Sequence, residues 1–134
     1  MAEHGRFIPH SRAVVNAPLP QGAGSAEFRA AVSTQILPAI RAFAPELVLL
    51  SAGFDAHASD PLAQLYLTDD DFRWVTEECA ALAAQVCEGR LVSVLEGGYD
   101  TDVLARNVTA HVELLSSVAA EAAAAATAVA KHAP

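Results

Sequence analysis

Two short apolar runs, Leu47-Val48-Leu49-Leu50 and Leu91-Val92-Ser93-Val94-Leu95, constrain the fold of this chain more than any other feature. Neither alternates apolar with polar residues as a strand with one wet face does, so each reads as a strand covered on both sides. Strands of that kind belong to parallel sheets, where right-handed helical crossovers lie over the faces. Around the runs the spacing turns helical. Phe28, Val32, Ile36, Ile40 and Phe43 recur mostly at four-residue steps after Ser25, a residue able to cap a helix. Pro38 is expected to kink or break that helix, and Pro45 to end it. Thr68-Asp69-Asp70-Asp71 is an acidic helix start capped by Thr68, after which Phe72, Val75, Cys79, Leu82, Ala83 and Val86 mark one face until Gly89. A third helix from about Thr101 to Val118 carries Leu104, Val108, Val112 and Leu115 on one side. The first 24 residues read as loop with one extended piece, Ala13-Val14-Val15-Asn16, and from Ala119 an Ala-rich tail reads as a helical extension or a frayed end.

The order helix, strand, helix, strand, helix predicts an α/β fold, part of a parallel sheet with flanking helices, whose chemistry sits at the carboxyl ends of the strands. Two strands are too few to bury a parallel sheet, so the fold is expected to be incomplete. The length, 134 residues, allows one domain or part of one. A content of 53% apolar and 18% charged residues excludes a disordered chain. The net charge of −8, with no basic run, argues against a nucleic-acid partner. No apolar stretch approaches the roughly 18 residues of a membrane span, and no signal peptide follows Met1. Cys79 and Cys87 form neither a C-x-x-C pair nor a disulfide framework, and read as buried thiols in a reducing, cytoplasmic setting.

The two polar loops hold the residues able to do chemistry. Asp55 and His57 follow the first strand, and in an extended loop residues two apart point the same way, so both could ligate a divalent metal. The plainer reading makes Asp55 a turn cap and leaves His57 facing water. After the second strand, Gly97 and Gly98 permit close approach of a ligand, and Tyr99 could donate to a developing oxyanion; a glycine turn with a half-buried tyrosine is the structural alternative. Glu96 could be a ligand, a base or an acceptor of backbone N–H groups. His111 reads as a packing or surface residue within its helix, and Trp74 as partly buried.

Read together, Leu49-Leu50-Ser51-Ala52-Gly53-Phe54-Asp55-Ala56-His57, Asp60-Pro61-Leu62 and Leu91 through Glu96-Gly97-Gly98-Tyr99 resemble the C-terminal half of the histone deacetylase superfamily in order and spacing. The likeness is to bacterial class II-like enzymes, among them acetylpolyamine amidohydrolases, and Glu96 before the glycine pair follows the class II pattern. It spans about Val14 to Leu115, with Asn16-Ala17-Pro18-Leu19-Pro20 and Gly22-Ala23-Gly24 included. The expected organisation is a non-matching segment over 1–12, the deacetylase half over 13–118 and the tail over 119–134.

The resemblance implies an arginase-like parallel α/β fold and a zinc cofactor held by an Asp and a His of one loop and an Asp of another. By motif Asp55 is that second aspartate and the one zinc ligand that can be placed, while His57 falls where the family has no ligand. Tyr99 matches the phenol that stabilises the tetrahedral intermediate. Leu62 matches an apolar residue beside the acyl-lysine channel, and Gly97 and Gly98 match the pair shaping its wall. The family's His-His pair and its first ligand loop, which carries an Asp-x-His of its own, have no counterpart in this sequence, Asp55-Ala56-His57 being matched to the second loop. The implied function is therefore zinc-dependent deacetylation of acetyl-lysine or a small acetylated amine, inactive without the complementing N-terminal half. The alternatives are a non-catalytic module that self-associates through an exposed sheet edge, and a small metal-binding protein using Asp55 and His57.

Overall fold

The computed structural model describes residues 14–131. Strands β1 (Val48–Ala52) and β2 (Leu91–Leu95) pair in parallel, in register from Val48 with Leu91 to Ala52 with Leu95. Their bonding continues beyond the strand ends, from Val48 N–H to the Arg90 carbonyl (2.9 Å), Glu96 N–H to Ala52 (2.9 Å) and Phe54 N–H to Gly97 (2.8 Å). The turns leaving β1 and β2 are thereby fixed side by side.

Before β1 the chain runs through helix α1 (Ser25–Ala31), a π-helical turn (Val32–Ile36) and helix α2 (Leu37–Phe43). Pro38 does not break this run. It lies in the first turn of α2, directly after the widened turn in which the Leu37 N–H reaches back to the Val32 carbonyl. Within this continuous run Pro38 has no N–H to donate to the preceding turn, and the wide turn, already departing from the i→i−4 ladder, gives its ring room. The extra residue also rotates the inward face. Val32 and Leu37 are buried, while Ile36 is only partly so and Phe43 lies open to solvent. A fixed four-residue step could not have found Leu37.

Helix α3 (Asp69–Cys87) is the crossover from β1 to β2, and α4 (Thr101–Lys131) follows β2 and continues through the Ala-rich segment. Glu88 and Gly89, both at positive φ (57° and 77°), end α3 where Gly89 predicted a stop. One cluster, Val32, Leu37 and Leu82, joins α1 and α2 to α3, with Phe28, Trp74 and Val86 packed on it. A second, Phe54, Leu67 and Phe72, lies beneath the strand-end turns with Ala52, Leu104 and Val108 against it. Cys87 is buried and Cys79 half-buried, both free thiols.

His111 is a packing residue of α4. The Thr76 hydroxyl donates to the Phe72 carbonyl (2.7 Å), so it accepts from His111 Nδ1 (2.8 Å), while Nε2 lies 2.9 Å from Ser93 Oγ and accepts from it when the ring is neutral. That arrangement needs a neutral ring, and burial pushes the imidazole pKa down in the same direction.

Two expectations need correction. The strands are not covered on both faces: Leu49, Val92 and Val94, which share one face by register, are 71%, 47% and 54% exposed. On the opposite face Ala52 packs under the turns and Ser93 bonds α4. The extended piece at 13–16 also forms no strand among the described residues. Val14 makes only a bridge, and Ala13, like the segment 1–12, lies outside the described residues.

The joint between α1 and α3 is polar. Asp71, wholly buried, accepts from Ser25 Oγ (2.6 Å), Arg29 Nε (2.7 Å) and the Thr68 N–H (3.0 Å), the last closing the predicted cap of α3. Burial alone would raise its pKa, but the Ser25, Thr68 and Arg29 donors outweigh it and hold the carboxyl below its ordinary value. A depressed folded pKa gives stability that is present above the unfolded carboxylate value, near 3.9, and is lost as pH falls through the folded value. Asp71→Ala is expected to lower stability by about 2–4 kcal/mol at pH 7, since it strands several donors. Urea unfolding at pH 7 and pH 3 measures this; the variant should lose less than wild type on acidification, and equal stability at pH 7 would contradict the assignment.

Candidate active site at the strand ends

The turn after β1 is pinned by Phe54, whose buried ring lies 5.3 Å from that of Phe72 and 5.9 Å from His111. With Phe54 turned into the core, the next residue, Asp55, is left half-buried at the surface of the site. Its carboxylate lies against the backbone of both turns. A Cβ at Gly53 would stand 3.2 Å from Oδ1, and a Cβ at Gly97 would collide with the carboxylate outright. Gly97 is therefore required here for space rather than for backbone torsion. Among the described residues, none donates a hydrogen bond or forms an ion pair to Asp55.

Gly98 answers a different need. Its φ is +145°, and an added Cβ would lie 2.7 Å from Leu104 Cδ1 and 3.4 Å from Phe54 Cβ. The chain then presents Tyr99 with 57% of its surface exposed, and Leu62, 67% exposed, stands on the neighbouring turn. Tyr99 and Leu62 are tied through a residue that sequence reasoning singled out only as part of a motif. Asp60, buried, accepts the Leu62 N–H on Oδ1 (2.9 Å), and the Tyr99 (2.7 Å) and Asp100 (3.3 Å) N–H groups on Oδ2. Its burial favours the neutral acid, but the Tyr99, Leu62 and Asp100 amides and the nearby His57 win and lower its pKa. The aspartate before a proline, a turn-forming pair, was the available signal.

His57 does not face water but is buried. Its Nδ1 accepts the Ser59 N–H (3.1 Å), its Nε2 lies 3.2 Å from Asp69 Oδ1, and its ring stacks on Phe72. Asp69 in turn takes Arg106 Nε and Asn107 Nδ2, each at 2.6 Å. Burial opposes the charge on Asp69, yet Arg106 and Asn107 keep its pKa below the usual value. Both imidazole nitrogens are thus committed to the fold. Glu96 accepts the Ser51 hydroxyl (2.7 Å), a role outside those anticipated for it.

The Gly22–Gly24 piece braces the same region, with Gly22 N–H on the Gln64 carbonyl (2.7 Å) and Tyr66 N–H on the Ala23 carbonyl (2.9 Å). Among the described residues no group of three or more His, Cys, Asp and Glu side chains could hold a metal ion. A catalytic zinc takes three protein ligands, so the described residues do not fit zinc by themselves.

Fold and site together define an α/β chain that brings a free carboxylate and a phenol to adjacent parallel strand ends. Comparison with known proteins gives this class a family: the histone deacetylase domain matches residues 6–115. The chain belongs to the histone deacetylase family. It is 44% identical over 94 residues to histone deacetylase 10, chloroplastic, of Oryza sativa subsp. japonica, covering 70% of this chain and 21% of that protein. It is 39% identical over 104 residues to the histone deacetylase-like amidohydrolase of Pseudomonas aeruginosa, covering 78% and 27%. Among solved structures, the acetylpolyamine aminohydrolase from Burkholderia pseudomallei superposes with a TM-score of 0.66 at 32% identity, covering 78% of this chain and 29% of that one. The chain thus spans between a fifth and a third of the length of these relatives.

Two of the glycines at positive φ, Gly98 and Gly89, separate torsion from crowding. Gly98→Ala is expected to cost roughly 2–4 kcal/mol, from strain plus overpacking on Leu104. Gly89→Ala, at φ +77° with nothing within 4 Å of the new Cβ, should cost only about 1–2 kcal/mol. Thermal and urea unfolding compare them, and an equal cost would contradict the close packing drawn here.

Proposed function

We propose that this chain is part of a zinc-dependent deacetylase that hydrolyses the acetyl amide of acetyl-lysine or of a small acetylated amine, and that it does not turn over substrate alone. The observation that carries the reading is the meeting of Asp55 with the Gly97-Gly98-Tyr99 turn across two in-register parallel strands. Asp55, a carboxylate without a partner among the described residues, supplies one metal ligand, and the remaining ligands come from outside those residues. Amide hydrolysis passes through an oxyanion, and the exposed Tyr99 phenol is the group that donates to it. Leu62, Gly97 and Gly98 line the approach of the acyl group. A net charge of −8 favours encounter with cationic amines. The absence of any described helix long and apolar enough to cross a membrane, and two free thiols, are consistent with a cytoplasmic setting.

A second reading, a non-catalytic unit that docks through its sheet, is favoured by one observation. The bare face of Leu49, Val92 and Val94 adjoins an apolar groove of about 420 Å³ lined by Val15, Ile40, Phe43, Leu47 and Leu49. Parallel sheets are buried on both faces, so this surface suits a complementing deacetylase segment or a second copy.

Metal analysis and turnover on an acetyl-lysine reporter distinguish the readings. The purified chain should hold far less than one zinc and show no activity. Co-expressed with a polypeptide supplying the other ligands, it should turn over. In that assembly Tyr99→Phe should lower kcat on the order of 10²–10³-fold with KM little changed. Asp55→Asn should lower zinc content, and His57→Ala should not. Stoichiometric zinc in the lone chain, or near wild-type turnover by Tyr99→Phe, would overturn the proposal.

A further inference from the structure

We infer that Asp60 is a positioning residue, whose buried carboxylate clasps the Leu62 turn to the Tyr99 turn and so sets where the Tyr99 ring stands. The inference rests on the reading of Tyr99 as the oxyanion donor, though the clasp itself is a matter of geometry. Before Tyr99 the turn is held by the Phe54–Gly97 bond and by the packing of Gly98 on Leu104, but among the described residues no bond except the one to Asp60 reaches Tyr99 itself. Its side chain is more than half exposed, and the two residues before it are glycines, the least restrained of all backbones. What fixes its backbone is one short bond, Tyr99 N–H to Asp60 Oδ2 at 2.7 Å, across 39 residues of sequence. The same oxygen reaches the Asp100 N–H, at the start of α4, where Asp100 Oδ1 accepts the N–H groups of Asp102 and Val103 (both 3.1 Å).

Asp60 is anchored in its turn from behind. Its own N–H donates to the His57 carbonyl (2.9 Å), and the His57 ring is held by Asp69, which Arg106 and Asn107 tie to α4. The line from α4 through Asp69, His57 and Asp60 returns to Tyr99. This gives His57 a structural task in place of metal ligation, and it explains why a carboxylate is needed at 60. Three N–H groups converge on two oxygens, whereas an asparagine offers one oxygen and turns an NH₂ group toward the remaining donor.

That asymmetry makes the test specific. In Asp60→Asn the oxygen should stay with the two amides of Tyr99 and Asp100, leaving Leu62. Hydrogen exchange of the Leu62 amide should then quicken on the order of 10–100-fold, the range expected for losing a bond to a charged acceptor, with Tyr99 little changed. Asp60→Ala should quicken Leu62, Tyr99 and Asp100 together, while Phe54, bonded to Gly97, keeps its protection. Should Asp60→Ala not fold, couplings across the hydrogen bonds from the Tyr99 and Leu62 amide nitrogens to Asp60 Cγ in the unaltered chain decide the point. Unchanged exchange in both variants, or absent couplings, overturns the clasp. In the turnover-competent assembly, Asp60→Ala should lower kcat more than it raises KM and add nothing to Tyr99→Phe. Multiplying effects would overturn positioning, whereas an inert Tyr99→Phe would overturn the reading of Tyr99 and leave the exchange result to judge Asp60.

Discussion

The parallel pairing of β1 with β2 is the constraint on which the rest of this molecule depends. Ala52 lies opposite Leu95, and the ladder runs on to Phe54 and Gly97, so the turns that leave the two strands share a backbone bond. Side chains in a strand alternate by twos, so a slip of one residue would turn Ser93 away from His111 and move Gly97 from beneath the Asp55 carboxylate. The Phe54, Leu67 and Phe72 cluster holds this register from below, and the chain Thr76, His111, Ser93 stitches α3 and α4 to β2.

The aspartates of this region divide by what they are bonded to. Asp60 holds two turns together, Asp69 gathers His57, Arg106 and Asn107, Asp71 joins α1 to α3, and Asp100 starts α4. Each is consumed by the fold. Asp55 has no such partner among the described residues, although it lies in the turn after β1 and is half-buried. The contrast, more than residue type, is what the proposed role of Asp55 as a metal ligand rests on.

Much of this was legible in the sequence. Continuous apolar runs located both strands, β2 to the residue, and the cap residues Thr68 and Gly89 located the ends of α3. Asp55, Gly97, Gly98 and Tyr99 stood out through the resemblance of the two loops, in order and spacing, to the deacetylase family, since each loop alone reads equally well as a plain turn. The π turn was not legible, since an added residue changes the phase of a helix without a composition signal, and Leu37 was missed with it. The count of two strands already implied missing cover, but not which face is bare: Leu49 and Val92 are as apolar as any covered strand, and what covers them is not written in their own residues. Asp60 and His57 escaped for a related reason, as their partners lie 39 and 12 residues away and only the folded chain brings them together.

The site depends on two turns being held side by side, and interstrand contacts report that directly. In a nuclear Overhauser spectrum of the isotopically labelled chain, the amide of Phe54 should lie beside Gly97 and that of Glu96 beside Ala52, within a parallel set running back to Val48 and Leu91. That pattern would place Asp55 and Tyr99 around one point. Contacts displaced by one residue or more, or none between the two segments, would separate the carboxylate from the phenol and contradict the account.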